Sequence, residues 1–242
     1  MSGRCRFFLD TIAYPDITEV TLTGEEFSHA VTVQRLREGS EIVLLDGTGK
    51  EYSAIVTKVE KRALSAHIIS ACVSDKEPKA DIYLLCGELK GDKTELVVQK
   101  AVELGASRIG IFSSEYCSAY MNTNKLERLN KVVREAAKQC LRAKSVPVEY
   151  YPSLQDALAS ADGYDSKIFA CEFVTESDKG LDSVTSPCAL IVGSEGGFSE
   201  AELAQARAAG FSAVTLGKRI LRAETAAISL LSVAAYILGE LK

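Results

Sequence analysis

The residues best placed to do chemistry lie in the last quarter of the chain. In Leu190-Ile-Val-Gly193-Ser194-Glu195-Gly196-Gly197-Phe-Ser199-Glu-Ala-Glu202, an apolar run ends in a glycine-rich loop, and Ser199 with Glu202 three residues later has the spacing of a helix-opening capping box. Glycines at 193, 196 and 197 let backbone N–H and C=O groups approach a ligand closely. A second loop, Leu216-Gly217-Lys-Arg219-Ile220-Leu221-Arg222-Ala-Glu224-Thr225, sets two arginines and a carboxylate beside another glycine. Each loop alone also reads as an ordinary connection from strand to helix. Two such loops at neighbouring strand ends point to a ligand site, because ligands of parallel α/β sheets gather at the carboxyl ends of the strands.

Other chemistries lack their residues. Leu45-Asp-Gly-Thr-Gly-Lys50 resembles a phosphate loop only superficially, since Leu44 stands where a glycine is needed and Glu51 replaces the metal-binding Ser or Thr. It reads as a hairpin turn. No G-x-G-x-x-G follows a strand, and there is no G-x-S-x-G. Seven cysteines (5, 72, 86, 117, 140, 171 and 188) form no C-x-x-C pair, and His29 and His67 are the only histidines. The expectation is reduced, apolar-type cysteines and no metal.

The net charge of −5 is unevenly spread: residues 76–145 carry 13 Lys/Arg against 9 Asp/Glu, while residues 146–242 carry 7 against 13. Lys125, Arg128, Lys131, Arg134, Lys138 and Arg142 recur every three or four residues, which aligns them along one side of a helix opposite Leu126, Leu129, Val132, Val133 and Ala136. A solvated surface helix and a phosphate-facing ridge both fit this stripe.

The elements that must position these groups fall into two sets. Before residue 73, Glu41–Asp46, Glu51–Val56 and Leu64–Val73 read as strands and Glu25–Leu36 as the one helix, which suggests a small β barrel or sandwich over 1–73. The polar segment 74–81, with Pro78, is the linker. From 80 to 242, strands at 81–86, 108–113, 167–171, 189–193 and 213–217 alternate with helices at 93–104, 123–142, 199–209 and 223–241, the pattern of a parallel sheet covered on both faces. With 47% hydrophobic and 25% charged residues the composition is that of a globular protein. No apolar run nears the roughly 18 residues of a membrane span, and no leader-like stretch precedes Asp10. A soluble cytoplasmic protein is expected.

Gly193-Ser-Glu-Gly-Gly197 followed by Leu216-Gly-Lys-Arg-Ile-Leu-Arg-Ala-Glu-Thr-Ala226 resembles the carboxyl-terminal signature of the RsmE family, knotted methyltransferases of the SPOUT superfamily. Lys90-Gly-Asp-Lys-Thr-Glu95, Gln99-Lys-Ala-Val-Glu-Leu-Gly105 and Glu135-Ala-Ala-Lys-Gln139 with Arg142 fit its middle blocks, and Arg6-Phe-Phe8, His29, Val33, Arg35 and Asp46-Gly47 fit its PUA-like amino-terminal domain. Ser194 stands where the family usually has proline, Tyr116 where arginine is common, and Cys140-Leu141 where a small pair is usual.

The resemblance implies an α/β protein: a small β-rich PUA-like domain that engages RNA, then a SPOUT-type trefoil-knot domain with a parallel sheet. It implies S-adenosylmethionine-dependent methylation of N3 of a uridine in the 16S rRNA of the small ribosomal subunit. Gly193, Ser194, Glu195, Gly196, Gly197, Leu216, Gly217, Ile220 and Leu221 would hold the cofactor. Arg222 would stabilise the uracil anion, and Glu224 or Glu195 would take its proton or serve only as cap and salt-bridge carboxylates. Arg6, Arg35, Lys90, Lys93, Arg128, Lys131, Arg134 and Arg142 would face RNA. A homodimer through the knot domain is implied, and the apolar helix 223–241 suits an interface. The rival readings are a related knotted methyltransferase acting on another RNA and a non-catalytic RNA-binding assembly factor.

Overall fold

The computed structural model describes residues 4–9, 17–174, 178 and 180–242. Two compact units emerge: Met1–Glu77 together with Ala137–Ser145, and Pro78–Ala136 together with Val146–Lys242.

The first unit is built on a five-stranded sheet. Its strands are β1 (Cys5–Phe8), β2 (Glu19–Leu22), β3 (Glu41–Leu45), β4 (Lys50–Val59) and β5 (Leu64–Val73), in the order β1-β3-β4-β5-β2. Among the described residues of this unit, only β1 and β3 pair in parallel. Phe7, Ile42, Leu44, Val56 and Leu64 supply much of the apolar core. The turn between β3 and β4 is fastened by Asp46, whose Oδ1 accepts the Thr48 N–H at 2.8 Å and whose Oδ2 accepts the Tyr52 hydroxyl at 2.9 Å. The helix expected over 25–36 is shorter: α1 (Gly24–Ser28) runs into one wider π-type turn, His29–Val33.

Two arginines read as RNA-facing are internal to this unit. Arg6 grips Glu51 with both terminal nitrogens, at 3.2 and 2.8 Å, and Ser74 Oγ donates to the same carboxylate at 2.6 Å. Burial alone would raise the Glu51 carboxyl, but the Arg6 and Ser74 hydrogen bonds outweigh it and hold the group below its usual range. Arg142 is 4% exposed, with its Nε 3.1 Å from Glu77 Oε2. The other Glu77 oxygen accepts the N–H groups of Ala143 and Lys144 at 2.6 and 2.8 Å. Both side chains are committed to fastening the chain to itself, so neither is free to meet a phosphate.

The second unit holds β6 (Ile82–Gly87), α2 (Lys93–Glu103), β7 (Arg108–Phe112), all but the last three residues of α3 (Thr123–Gln139), β8 (Val148–Tyr151), α4 (Leu154–Ala159), β9 (Ser166–Ala170), β10 (Cys188–Val192), α5 (Glu200–Ala208), β11 (Ser212–Val214) and α6 (Ala223–Ile237). Its six strands are all parallel, in the order β11-β9-β10-β6-β7-β8. Every residue of β6 and β10 is buried, which is why both read as unbroken apolar runs. β8 and α4 were not anticipated, and both are short. The helix expected to reach 142 stops at Gln139, because Leu141 takes a left-handed conformation at φ 67° and the Arg142 N–H turns back to the Ala137 carbonyl at 2.9 Å. Among the described residues, no helix is long and apolar enough to cross a membrane.

The Arg142–Glu77 link yields a test. Removing one member of a buried ion pair leaves the other uncompensated, at a cost of about 3 kcal/mol. Arg142→Ala should therefore lower the unfolding free energy measured in urea by that amount and leave the salt dependence of RNA binding unchanged. A flattened salt dependence with full stability would restore Arg142 to the RNA-facing set.

Candidate active site

Strand order reverses around β6 and β10: β7 and β8 extend the sheet one way from β6, and β9 and β11 extend it the other way from β10. Loops leaving such a switch point diverge and open a crevice at the carboxyl ends of the strands. A cavity of about 410 Å³ lies there, walled by the segments after β9 (Cys171, Glu172), β10 (Gly193–Glu195, Gly197) and β11 (Thr215–Arg222), with Lys93 and Ala226 from α2 and α6.

The glycine loop is held from several sides. Ser199 caps α5: its Oγ accepts the Glu202 N–H at 3.2 Å, while Glu202 Oε2 accepts the Ser199 N–H at 2.9 Å. The expected capping box is therefore present with both bonds. Glu202 also has a second duty, because its Oε1 accepts the Glu115 N–H at 2.9 Å and ties the loop after β7 to the same corner. On the far side Gly87 closes β6 so tightly that a Cβ there would lie 2.4 Å from the Ser194 nitrogen. Gly197 is favoured by its φ of 68°, and the Glu172 carboxylate lies over its open face.

Charged groups ring the cavity. Lys93 Nζ stands 3.2 Å from Glu195 Oε1 and 3.7 Å from Glu224 Oε2. Glu195 Oε1 also accepts the Lys90 N–H at 3.1 Å. Burial alone would raise the Glu195 carboxyl, but those hydrogen bonds and the Lys93 ammonium prevail and hold it below the usual carboxylate range. Glu195 is thus a poor proton acceptor. Burial, with Glu195 and Glu224 nearby, pushes the Cys86 thiol up to about 12, so it offers no nucleophile. Two buried oxygens, Ser194 Oγ and Glu224 Oε2, have no hydrogen-bond partner among the described residues. Orphaned buried acceptors of this kind suit a ligand that supplies the missing bond.

Of the residues read as cofactor-binding, Gly193, Ser194, Glu195, Gly197, Leu216, Gly217, Ile220 and Leu221 line the cavity, as does Arg222. Gly196 does not; its open face meets the Tyr116 backbone instead. Glu224 reaches the group through Lys93. Lys93, read as RNA-facing, turns into the cavity, while the Lys90 side chain stays exposed. Arg128 is exposed beside Glu95 at 2.9 Å, and Arg35 is exposed in the first unit. Glu172, just past the end of β9, also lines the cavity, a placement that no local spacing in the sequence reports.

Comparison with known proteins agrees with this geometry. The model of a family described as an RNA methyltransferase domain matches residues 75–235, and that of an RNA methyltransferase PUA domain matches 22–69. The chain is 30% identical over 233 residues to ribosomal RNA small subunit methyltransferase E of Bacillus subtilis, covering 89% of each. It is 34% identical over 170 residues to the protein of the same name from Mesomycoplasma hyopneumoniae, covering 69% of this chain and 74% of that one. Ribosomal RNA small subunit methyltransferase E from Neisseria gonorrhoeae, solved bound to S-adenosyl methionine, superposes with a TM-score of 0.88 at 30% identity over 99% of this chain and 100% of that one.

The contact at Gly87 makes the site fragile in a defined way. Because the clash of an added methyl is with backbone, Gly87→Ala must push β6 and the glycine loop apart, and overpacking of this kind costs about 1–3 kcal/mol. Both the melting temperature and the calorimetric affinity for S-adenosylmethionine should fall. Unchanged affinity in the folded variant would show that the loop does not depend on this contact.

Proposed function

Because the chain belongs to the ribosomal RNA small subunit methyltransferase E family of RNA methyltransferases, we propose that its cavity binds S-adenosylmethionine and that it methylates N3 of a uridine in the 16S rRNA of the small ribosomal subunit. The observation that carries this reading is the pair of loops after β10 and β11 closing one cavity, with the buried Ser194 Oγ of its lining left without a hydrogen bond among the described residues. A chain that only bound RNA would have no physical need of that enclosure.

When bound, S-adenosylmethionine supplies an electrophilic methyl group, so the protein's tasks are to orient, to exclude water and to manage a proton. Backbone groups of 193–195, 197 and 216–221 would hold the cofactor, with Glu172 also in the lining. Uracil N3 carries a proton near neutrality, and its loss spreads charge over two carbonyl oxygens. Arg222, at the N-cap of α6, presents a planar fork of donors suited to that anion. Glu224 is the acceptor for the proton, since its Oε2 makes no hydrogen bond among the described residues while Glu195 is committed to the Lys90 N–H as well as to Lys93. Lys93 positions both carboxylates.

Arg35, Lys90, Arg128, Lys131 and Arg134 remain as the RNA-facing set, with the PUA-like unit of residues 1–73 as a second RNA contact and residues 80–242 as the catalytic domain. The enzyme acts in the cytoplasm, where its substrate assembles. A homodimer forms through the knot domain, supported by the exposed Val233 and Tyr236 of α6 and Leu241 beyond it. Light scattering at micromolar concentration should give twice the chain mass; a monomer of full activity would refute the dimer.

Methylation of 16S rRNA from a deletion strain, followed by mass spectrometry of its nucleosides, tests the function directly and should return 3-methyluridine at one position. In the same assay Arg222→Lys should retain cofactor affinity yet lose about 100-fold in turnover, the typical loss of one preorganised donor. A folded variant with full turnover would remove Arg222 from catalysis.

A further inference from the structure

The loop between β7 and α3 has no part in the cofactor cavity, yet it is held against it with unusual firmness. Residue 115 is tied through its N–H to Glu202, the capping carboxylate of α5. Residue 117 donates its thiol to the Glu88 carbonyl at 3.2 Å, and its N–H closes a turn on the Ser114 carbonyl at 3.0 Å. Between these anchors the Tyr116 backbone packs so closely on Gly196 that a Cβ at 196 would lie 2.6 Å from Tyr116 Cβ and 2.7 Å from its carbonyl oxygen. The backbone of residue 116 is thus pinned on three sides, one of them the glycine loop itself.

The side chain is not. Tyr116 is 50% exposed, and four residues on Tyr120 is 81% exposed. Large aromatic rings left in water beside a fixed backbone gain nothing for folding. The loop then leads through Asn122, whose Oδ1 accepts the Lys125 N–H at 2.9 Å, straight into α3 and its exposed Arg128. Aromatic faces next to a basic ridge are the combination that binds single-stranded nucleic acid, with stacking on the bases and cations on the backbone.

We propose that Tyr116, with Tyr120 beside it, is a stacking platform for unpaired bases of the RNA substrate, and that it positions the target pyrimidine at the mouth of the cofactor cavity. Tyr116 is a positioning residue for substrate, not a proton carrier. The platform rests on the reading of the chain as an RNA methyltransferase. A base has to leave its helical stack before N3 can be reached, and an exposed ring carried on a backbone packed against Gly196 is placed to receive that base beside the glycine loop. Because every base has a π-face, this contact strengthens binding with little sequence preference.

The chain contains no tryptophan, so Tyr116→Trp introduces a single fluorescent reporter that can itself stack. Titration with a short single-stranded oligouridylate should quench its fluorescence, and an abasic strand of equal length should not. Tyr116→Ala should bind the oligouridylate about tenfold more weakly and raise the KM for 16S rRNA, with S-adenosylmethionine affinity and melting temperature unchanged. Tyr116→Phe should restore both values, which a merely structural role would not require. Wild-type methylation with an unaltered KM in Tyr116→Ala, and no base-dependent quenching, would overturn the platform and leave the methyltransferase reading intact. A wild-type enzyme that neither binds nor methylates RNA would overturn both.

Discussion

Gly87 touching Ser194 is the contact on which the site depends. β6 and β10 are paired in parallel and wholly buried, so their ends emerge side by side at the one place where strand order reverses. A side chain on residue 87 would wedge these ends apart, and its absence lets the backbone of the glycine loop lie directly on the end of β6. From that contact the rest follows. The loop is brought within reach of Lys90 and Lys93, and Ser199 is placed to open α5. Glu202 can then serve both the cap and the loop after β7. A close-packed interior transmits such a constraint because it has no slack to absorb it.

Electrostatics within the cavity are divided rather than uniform. On one side Lys93 holds two carboxylates, and on the other the segment 216–222 brings Lys218, Arg219 and Arg222 to the lining. A ligand with both a cationic and an anionic end finds a complement on each wall. Arg222 is left free of an ion pair among the described residues, and an uncommitted guanidinium is available to a charge that develops during reaction. Glu195, by contrast, is spent on Lys93 and the Lys90 N–H. The two carboxylates that residue type alone could not tell apart are separated by their partners.

Much of the second unit was legible because its chemistry is periodic. Buried parallel strands such as Ile82-Tyr-Leu-Leu and Cys188–Val192 must be apolar throughout, and the Ser199–Glu202 spacing needs only local geometry. β8 escaped notice because Val148-Glu-Tyr-Tyr is a short edge strand, half-buried and without a clean pattern. Glu172 was invisible for a different reason. Its place against Gly197 depends on the register of β9 on β10, which no local spacing reports.

The basic stripe carries the same lesson furthest. Six cations at helical spacing look like one surface, but spacing says only which side of a helix they share, not what lies opposite. Lys125 reaches the fully buried Glu88 at 2.5 Å, Lys138 lies 3.3 Å from Glu26, and Arg142 is buried on Glu77. Their acidic partners stand 37, 112 and 65 residues away in the chain. Desolvating three carboxylates without cations would cost several kcal/mol each, so part of the apparent RNA footprint is instead the neutralising half of buried pairs. What stays exposed of the stripe is narrower and includes Arg128, itself beside Glu95. On the proposed reading, a narrow ridge would bind with a smaller electrostatic term, and discrimination between one uridine and the next would rest on contacts that read shape and stacking rather than charge.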